Sequence, residues 1–413
     1  MKIKNNLIKK NFTWNIIGTT FNSFNSLFFM VLVTRINGIS DAGIFTFAFS
    51  TACLFYVIGV YSGRTYQVTD NSKISASTYL YSKIITCIIM IFCTMLFCIY
   101  RRYNLYKSII IIFLSFYKML EAFSESFYAM IQKHDKLYLV GKSLFFKAIV
   151  SLLSFFILDY FTNSLVISIL AIIVSNLVFI IFYDFKIIKS FKFKLSKFRK
   201  EEVYKLLKEG LFTFLFSFLT LYIINAPKYS IDSLMKNSDQ TVFGIIIMPA
   251  TIIILFSQFI IQPFLVKFKD LNECSKSEFK KFTFKLVLGV TIIGILTVVI
   301  AYFIGIPLLE ILYNIDLKAY LNSLIIIIIG AVFYGISVVF STALTTLRKT
   351  FCQFVIYLIT SIIAIFLSNY LIKHFGLYGA FYSYLIIMVV LLILYLITFL
   401  CKIKEEVKKN EKK

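Results

Sequence analysis

The sequence predicts an all-α polytopic membrane protein with about 12 transmembrane helices in two six-helix lobes, related by a pseudo-two-fold axis along the membrane normal. Two observations predict this fold. The 413 residues are 60% hydrophobic with a mean hydropathy of +0.87, which excludes an ordinary soluble domain. The apolar residues also fall into about 12 runs of roughly 20 residues, each long enough to cross a bilayer as a helix.

The predicted spans form two sets of six on either side of a basic segment at residues 185–209. This segment holds nine Lys or Arg against three Glu, a composition typical of a solvated connector between membrane helices. No long polar region leaves room for a separate soluble catalytic domain. The predicted spans are residues 12–33, 43–62, 80–99, 108–129, 143–161, 164–184, 210–231, 242–265, 286–305, 319–343, 353–372 and 377–400.

These spans divide the chain into two lobes, a linker and a tail. Because each half has six spans, both halves begin on the same side of the membrane, as in transporters built from parallel repeats. A faint similarity between residues 35–45 and 228–243 agrees with such a repeat, and chance similarity is the alternative. The predicted domains are the N-terminal lobe at 1–184, a cytoplasmic basic linker at 185–209, the C-terminal lobe at 210–400 and a basic cytoplasmic tail at 401–413.

The distribution of basic residues predicts the orientation. With the N-terminus inside, the inner regions hold 32 Lys or Arg and the outer loops hold 8. Cytoplasmic loops carry the excess of Lys and Arg in membrane proteins. Both termini are therefore predicted to be cytoplasmic.

Charge, cysteine and histidine usage exclude several other classes. The net charge of +23 comes from short loops between apolar runs, which is not the pattern of a nucleic-acid groove. The seven cysteines form no CxxC pair and mostly fall in apolar runs, so they are interpreted as small buried hydrophobes. The two histidines are far apart in the sequence. We therefore expect no metal site, no cofactor and no nucleic-acid partner.

Polar side chains recur at helical spacing inside several predicted spans. Asn15 and Asn22 share one face of the first span, and Gln258 and Gln262 share one face of the eighth. Such stripes often serve only helix–helix hydrogen bonding. Their presence in both halves favours a shared polar interior.

The fourth predicted span carries two acids and a cation on one face. Lys118, Glu121, Glu125, Tyr117 and Tyr128 all project within about 100° of one another. The two Glu are the only acids predicted to lie well inside a span. Charges there are costly, so they should face a cavity or a partner. The spacing predicts that one acid pairs with the cation three residues away and that the second exchanges a proton or a sodium ion. A purely structural ion pair is the alternative.

Three stretches of the chain resemble the polysaccharide flippase family, the O-antigen and capsule oligosaccharide exporters of the multidrug/oligosaccharidyl-lipid/polysaccharide superfamily. They are Thr34–Ala42, Gly63–Asp70, and Arg348-Lys349 followed by His374–Ala380. The sequence departs from the family where Gly210-Leu211 is followed by Phe212 instead of proline.

The resemblance implies a V-shaped transporter in a bacterial cell membrane that moves an oligosaccharide on undecaprenyl pyrophosphate by alternating access. Membrane lipids, a polysaccharide polymerase and other assembly proteins are its implied partners. Pyrophosphate needs cations in a poorly screened site. The cations predicted to bind it are Arg35, Arg64, Lys147 and Lys228; Tyr117 and Tyr128 are the candidate platforms for sugar.

Two other functions are weighed against this one. A cation-coupled multidrug antiporter of the same superfamily is expected to use an acid in its first span, and residues 12–33 contain no Asp or Glu. A membrane-embedded oligosaccharide polymerase or glycosyltransferase needs catalytic residues on a sizeable outer loop, and the outer loops here are short. The sequence therefore predicts a transporter and not an enzyme.

Overall fold

The computed structural model of the protein describes residues 2–61, 63–69, 74–191, 195–261 and 264–411. Within these ranges every regular element is a helix. The chain divides into two compact units, Met1–Phe218 and Leu219–Lys413, and the division falls inside one long helix. The two units are therefore described separately, and the lobe and linker boundaries drawn from the sequence stay predictions.

The first unit is built mainly from six long helices. Short helices and a π-helical turn, Ile180–Asp184, connect or extend them. In chain order the helices are α1 Lys2–Ile36, α2 Ile39–Val60, α3 Gly63–Thr69, α4 Ala76–Tyr100, α5 Leu105–Lys133, α6 Leu137–Thr162, α7 Leu165–Phe179, α8 Phe185–Ser190 and α9 Lys200–Leu234, which runs on into the second unit.

The second unit continues with seven further helices. A π-helical turn follows α13, and Gly376 interrupts α16 with φ 58° and ψ −139°. A side chain at such a backbone conformation would be strained, so glycine permits the sharp break between the two halves of α16. The helices are α10 Asn237–Ile246, α11 Met248–Ile261, α12 Leu265–Cys274, α13 Lys276–Ile300, α14 Ile306–Tyr313, α15 Leu321–Thr346 and α16 Thr350–Glu411.

The helix lengths confirm a multi-pass membrane protein. Ten helical stretches of the described chain are long and apolar enough to cross a membrane. Helix α5, with 29 residues, is also long enough but carries internal charges. Helix α16, with 62 residues, extends for roughly 90 Å at 1.5 Å per residue and so holds two spans around Gly376. The prediction of about 12 spans is confirmed.

Close backbone packing joins α1 to α6. A methyl group added to Gly18 would run into the backbone carbonyl of Gly141, and one added to Gly141 would run into the backbone of Trp14. Small residues let membrane helices approach this closely. The side chain of Asn11 fastens the same contact, because its amide nitrogen donates to the carbonyl of Asp135 at 2.9 Å. The polar face of α1 is thereby held against α6.

The C-terminal end of α2 places a cation beside α5. The ammonium of Lys83, whose residue is only 7% exposed, donates to the carbonyl of Val60 and so satisfies the last turn of α2. The chain then turns through Tyr61 at φ 49° and Gly63 at φ 69°. Helix α3 starts at this glycine, and Arg64 is its second residue. The break in the second span thus brings Arg64 back towards α5.

Candidate functional site: a charged cavity in the first unit

A small cavity of about 30 Å³, partly open to solvent, lies among α1, α2, α5 and α6 of the first unit. It brings together five residues that the sequence analysis selected from three separate spans. Its walls combine acids, a cation, an amide, phenols and one aliphatic side chain. The lining residues are Asn22, Tyr56, Glu121, Glu125, Tyr128, Leu144 and Lys147.

The first ion pair at the cavity is local to α5. The Lys118 ammonium lies 2.7 Å from Glu121 Oε2, so the pairing predicted from their spacing is confirmed. Aromatic faces surround the same ammonium, with the ring centroid of Phe49 at 4.7 Å and that of Tyr117 at 5.2 Å. The two charged side chains are 13% and 17% exposed. Lys118 therefore has an ionic partner and aromatic neighbours beside the cavity.

The second ion pair joins α3 to α5. Arg64 Nε lies 3.7 Å from Glu125 Oε2, and these side chains are 27% and 20% exposed. The separation is 1.0 Å longer than in the Lys118–Glu121 pair (3.7 against 2.7 Å). It also exceeds the usual length of a charge-assisted hydrogen bond. Glu125, predicted to be the acid that Lys118 leaves free, thus has a loosely held cationic partner that water reaches.

The third ion pair is buried between α6 and the π-helical turn. Lys147 Nζ lies 2.5 Å from Asp184 Oδ2, and it also donates to Ser124 Oγ at 2.8 Å and to the Tyr128 hydroxyl at 3.0 Å. Ser143 Oγ donates to the other carboxylate oxygen of Asp184 at 2.6 Å. An ammonium has three hydrogens to donate, and here three acceptors take them. The pair is therefore both buried and fully hydrogen-bonded.

Asp184 is the member of this site that the sequence analysis missed. Its predicted span ends at residue 184, where an acid is normally interpreted as facing the headgroups. In the structure the helical stretch continues to Ser190, and Asp184 is 0% exposed. The π-helical turn adds a residue per turn and points this carboxylate inward; such turns are often found at functional sites. The expectation that Glu121 and Glu125 are the only acids well inside spans is therefore wrong.

The two candidate sugar platforms lie in different surroundings. Tyr128 lines the cavity, and its hydroxyl is joined to Ser143 at 2.9 Å as well as to Lys147. Tyr117 is 2% exposed and packs edge-on against Phe29, with the ring centroids 6.4 Å apart. Tyr128 thus borders the cavity although it is itself only 2% exposed, whereas Tyr117 belongs to the packed interior beside Lys118.

The remaining predicted residues lie away from the cavity wall or outside the first unit. Asn15 is half-buried on α1, and Arg35 is exposed in the last turn of that helix. Lys228 is half-buried in the part of α9 that belongs to the second unit. Gln258 lies in α11 of the second unit, and Gln262 lies outside the described residues.

Cations outnumber acids around the cavity. Lys83 belongs to this group because its ammonium acts electrostatically on Glu125. In the described part of the first unit the group has four cations against three acids, a net charge of +1: Arg64, Lys83, Lys118 and Lys147 against Glu121, Glu125 and Asp184. Charges interact strongly where water is scarce. The site therefore favours an anionic ligand over a cationic one.

Comparisons with known proteins agree with this architecture. No protein-family model matches the chain. It is 26% identical over 383 residues to "Capsular polysaccharide biosynthesis protein CapF" of Staphylococcus aureus, covering 90% of this chain and 94% of that relative.

Two of the solved structures with a similar fold are transporters. "Lipid II flippase MurJ, inward closed conformation" has a TM-score of 0.68 at 15% identity and covers 93% of this chain and 87% of its own. An inward-facing multidrug resistance MATE family transporter of the MOP superfamily has a TM-score of 0.66 at 12% identity. The match covers 95% of this chain and 99% of the MATE chain. The predicted fold class is therefore confirmed over nearly the whole chain.

Proposed function

We propose that this chain, which fits the polysaccharide flippases of the multidrug/oligosaccharidyl-lipid/polysaccharide exporter superfamily, flips undecaprenyl-pyrophosphate-linked oligosaccharide repeat units from the cytoplasmic to the outer leaflet. The observation that carries the proposal is the excess of cations at the cavity, with Arg64 loosely paired and accessible. The likeness over nearly full length to a capsular polysaccharide biosynthesis protein supports the same substrate class. Movement by alternating access would supply repeat units for cell-surface polysaccharide.

The substrate's pyrophosphate matches the chemistry of Arg64. A guanidinium presents parallel N–H donors that bind two oxygens of one phosphate, whereas an ammonium acts as a point charge. Because Glu125 lies 3.7 Å away, a pyrophosphate oxygen that bonds Arg64 directly would displace a weaker interaction. The proposal gives Arg64 the first contact with the lipid pyrophosphate at the inner side of the membrane.

If pyrophosphate displaces Glu125 from Arg64, substrate binding becomes linked to the binding of an ion by Glu125. Once Arg64 turns to pyrophosphate, Glu125 is left as a partly buried carboxylate without its main cation. Such a group lowers its free energy by taking up a proton or a sodium ion. The proposal therefore makes Glu125 the acid that couples flipping to an ion gradient, while Glu121 stays paired with Lys118.

The other predicted cations take different parts. Arg35 and Lys228 lie at the outer ends of their spans in the predicted topology, where they would receive the pyrophosphate; anchoring to lipid headgroups is the alternative. Lys147 was predicted to bind pyrophosphate as well. Since Asp184, Ser124 and Tyr128 take its three hydrogens, the proposal assigns it to holding the cavity wall.

Polar walls suit the oligosaccharide. Asn22 supplies an amide to the cavity, and the proposal keeps Tyr128, which borders it, as the sugar platform that becomes accessible when the transporter changes state. No cofactor is required for flipping. A polysaccharide polymerase and other assembly proteins are the proposed partners, because the flipped repeat unit must be consumed on the outer side.

The cavity also separates this proposal from its main rival. The solved MATE structures share the fold, so a cation-coupled multidrug antiporter is the second candidate. The first predicted span carries Asn22 and Asn25 but no acid, and the charges around the cavity sum to +1. Both features work against binding a cationic drug.

The function is tested by flipping in proteoliposomes. Purified protein should move a fluorescent undecaprenyl-pyrophosphate oligosaccharide between leaflets faster when an ion gradient is imposed, and Glu125→Gln should flip without responding to the gradient. Gln keeps the shape and a polar oxygen near Arg64 but binds no proton or sodium ion. The matched variant Glu121→Gln breaks the Lys118 pair and should lower the amount of folded protein. Efflux of cationic drugs with no movement of the lipid would overturn the proposal.

The proposed location is a bacterial cell membrane with both termini in the cytoplasm. Ser190 and Ser196 are exposed in the basic segment, and Thr162 is exposed at the predicted outer end of α6. In a variant without the seven native cysteines, cysteines at 190 and 196 should resist impermeant thiol reagents in intact cells. A cysteine at 162 should react. The reverse pattern would invert the topology.

A further inference from the structure

A second buried acid of the first unit lies far from the cavity, where α1, α6 and α7 meet. Asp159, in the last turn of α6, is 0% exposed. Its Oδ1 accepts from the Asn37 amide nitrogen at 3.1 Å and from Ser168 Oγ at 2.9 Å. Lys147 on the same helix is about 18 Å away along the axis at 1.5 Å per residue. Asp159 is thus not part of the site already described.

The second oxygen of the Asp159 carboxylate and the side-chain oxygen of Asn37 receive no hydrogen bond from the described part of the chain. Asp159 Oδ2 and Asn37 Oδ1 are both buried, and no described residue donates a hydrogen bond to either atom. Among the ion pairs seen in the described ranges, none involves Asp159. A buried acceptor without a donor destabilises the folded protein, and more so if it is charged. The arrangement therefore calls for a ligand that supplies positive charge or a hydrogen.

A single proton satisfies both atoms. The Asn37 amide already donates N–H to one carboxyl oxygen, which leaves its carbonyl oxygen on the same planar group as the second acceptor. A proton on Asp159 Oδ2 turns the carboxyl into a donor, and with that proton the planar amide and the planar carboxylic acid can form two hydrogen bonds with each other. A metal ion would find too few ligands here. Only two oxygens of the described residues are free at this point, Asp159 Oδ2 and Asn37 Oδ1, and the Ser168 hydroxyl is already engaged with Asp159 Oδ1.

The surroundings disfavour a negative charge on Asp159. The C-terminus of α6 carries the negative end of its helix dipole, one turn away. Asp41 of α2 adds a nearby negative charge and is itself held by the Tyr106 hydroxyl of α5 at 3.1 Å. The basic residue at this end of α1 is Arg35, which is exposed. From α7 the neighbour is the neutral Ser168.

We infer that Asp159 is a proton-binding site, in which the bound proton is shared with Asn37 and holds the C-terminal ends of α1 and α6 together. Loss of the proton leaves a buried carboxylate facing the lone pairs of the Asn37 carbonyl oxygen. This end of the first unit then opens to hydrate the charge. The inference concerns an acid and an end of the unit that the proposed function does not use.

Infrared spectroscopy tests the proton directly. Wild-type protein in lipid nanodiscs at neutral pH should show a carboxylic-acid C=O band that shifts in D₂O and is lost in Asp159→Asn. The isosteric Asn keeps the packing without an ionisable proton. The matched variant Asp41→Asn removes the neighbouring acid, which has a hydroxyl donor of its own, and should keep the band. Identical bands in wild type and Asp159→Asn would overturn the inference.

A labelling experiment tests the opening and does not depend on transport. A cysteine at Leu165, which is 1% exposed in the first turn of α7, is compared in the wild-type and Asp159→Asn backgrounds, so that the thiol's own titration cancels. The measured quantity is the labelling rate in the wild-type background divided by the rate in the Asp159→Asn background. Above the pH at which the infrared band disappears, this ratio should rise by up to about tenfold per pH unit, as expected for an opening linked to one proton. A ratio that stays constant while the band disappears would show that the proton does not hold this end closed. Failure to flip lipid-linked oligosaccharide would leave both measurements unaffected.

Discussion

Arg64→Gln should reduce export of the surface polymer by about 10- to 100-fold while leaving the amount of protein in the membrane unchanged, because one charge-assisted hydrogen bond is worth about 1.5–3 kcal/mol. The Arg64 side chain is 27% exposed and not enclosed in a packed core, so the substitution should leave folding intact. Gln retains amide donors on the side of Glu125 but offers no positive charge to pyrophosphate. Quantifying polymer on intact cells and protein by immunoblot measures both halves of this expectation.

Two further variants separate the substrate contact from the ion pair. Arg64→Lys keeps the charge without the forked donors, so its export should be intermediate. The double variant Arg64→Gln/Glu125→Gln leaves no unpaired carboxylate behind. If it restores export to wild-type levels, the defect of the single variant comes from the stranded Glu125, and the proposed contact with pyrophosphate is wrong.

Lys147→Met should destabilise the protein by about 3–5 kcal/mol, the usual cost of removing one partner of a buried ion pair. The stranded partner, Asp184, is 0% exposed and, among the residues that the structure describes, would keep only the hydrogen bond from Ser143. Total stability is about 5–15 kcal/mol for typical proteins, so a large part of the folded population should be lost. The yield of monodisperse protein after extraction and its thermal midpoint measure this.

The double variant Lys147→Met/Asp184→Leu should recover most of that stability, because it removes both charges from the interior. An exposed pair provides the comparison. Lys205 and Glu209 lie 4.0 Å apart with side chains 64% and 45% exposed, and Lys205→Met should cost no more than about 1 kcal/mol. A Lys147→Met protein that folds normally but does not bind substrate would instead assign Lys147 to the pyrophosphate, as the family resemblance implies.

The charge pairs show where inference from sequence ends. Lys118 and Glu121 are three residues apart on one helix, so helix geometry alone places them side by side. Arg64 and Glu125 lie on different helices, and the pair depends on the turn at Tyr61 and Gly63 that redirects the chain. No sequence pattern predicts that turn's direction, because it depends on what the second span packs against.

The buried acids near span ends illustrate the same limit. Asp159 and Asp184 lie at the last positions of predicted spans, where an acid is usually hydrated. Neighbouring helices cover both, and both are 0% exposed. Whether a residue at a span end is hydrated or enclosed depends on the lengths and packing of other helices, which the local sequence does not contain.

The sequence by itself determined that this protein crosses the membrane about 12 times, because the hydrophobic length needed to span a bilayer is a local property of about 20 residues. It also determined which helix faces carry polar groups, since helical periodicity is local too. Only the tertiary structure decided which charges neutralise one another, and that Lys147 is enclosed with Asp184 while Arg64 stays accessible. These outcomes depend on distances of a few ångströms between helices remote in the chain, and Coulomb energies inside a membrane protein change steeply over such distances.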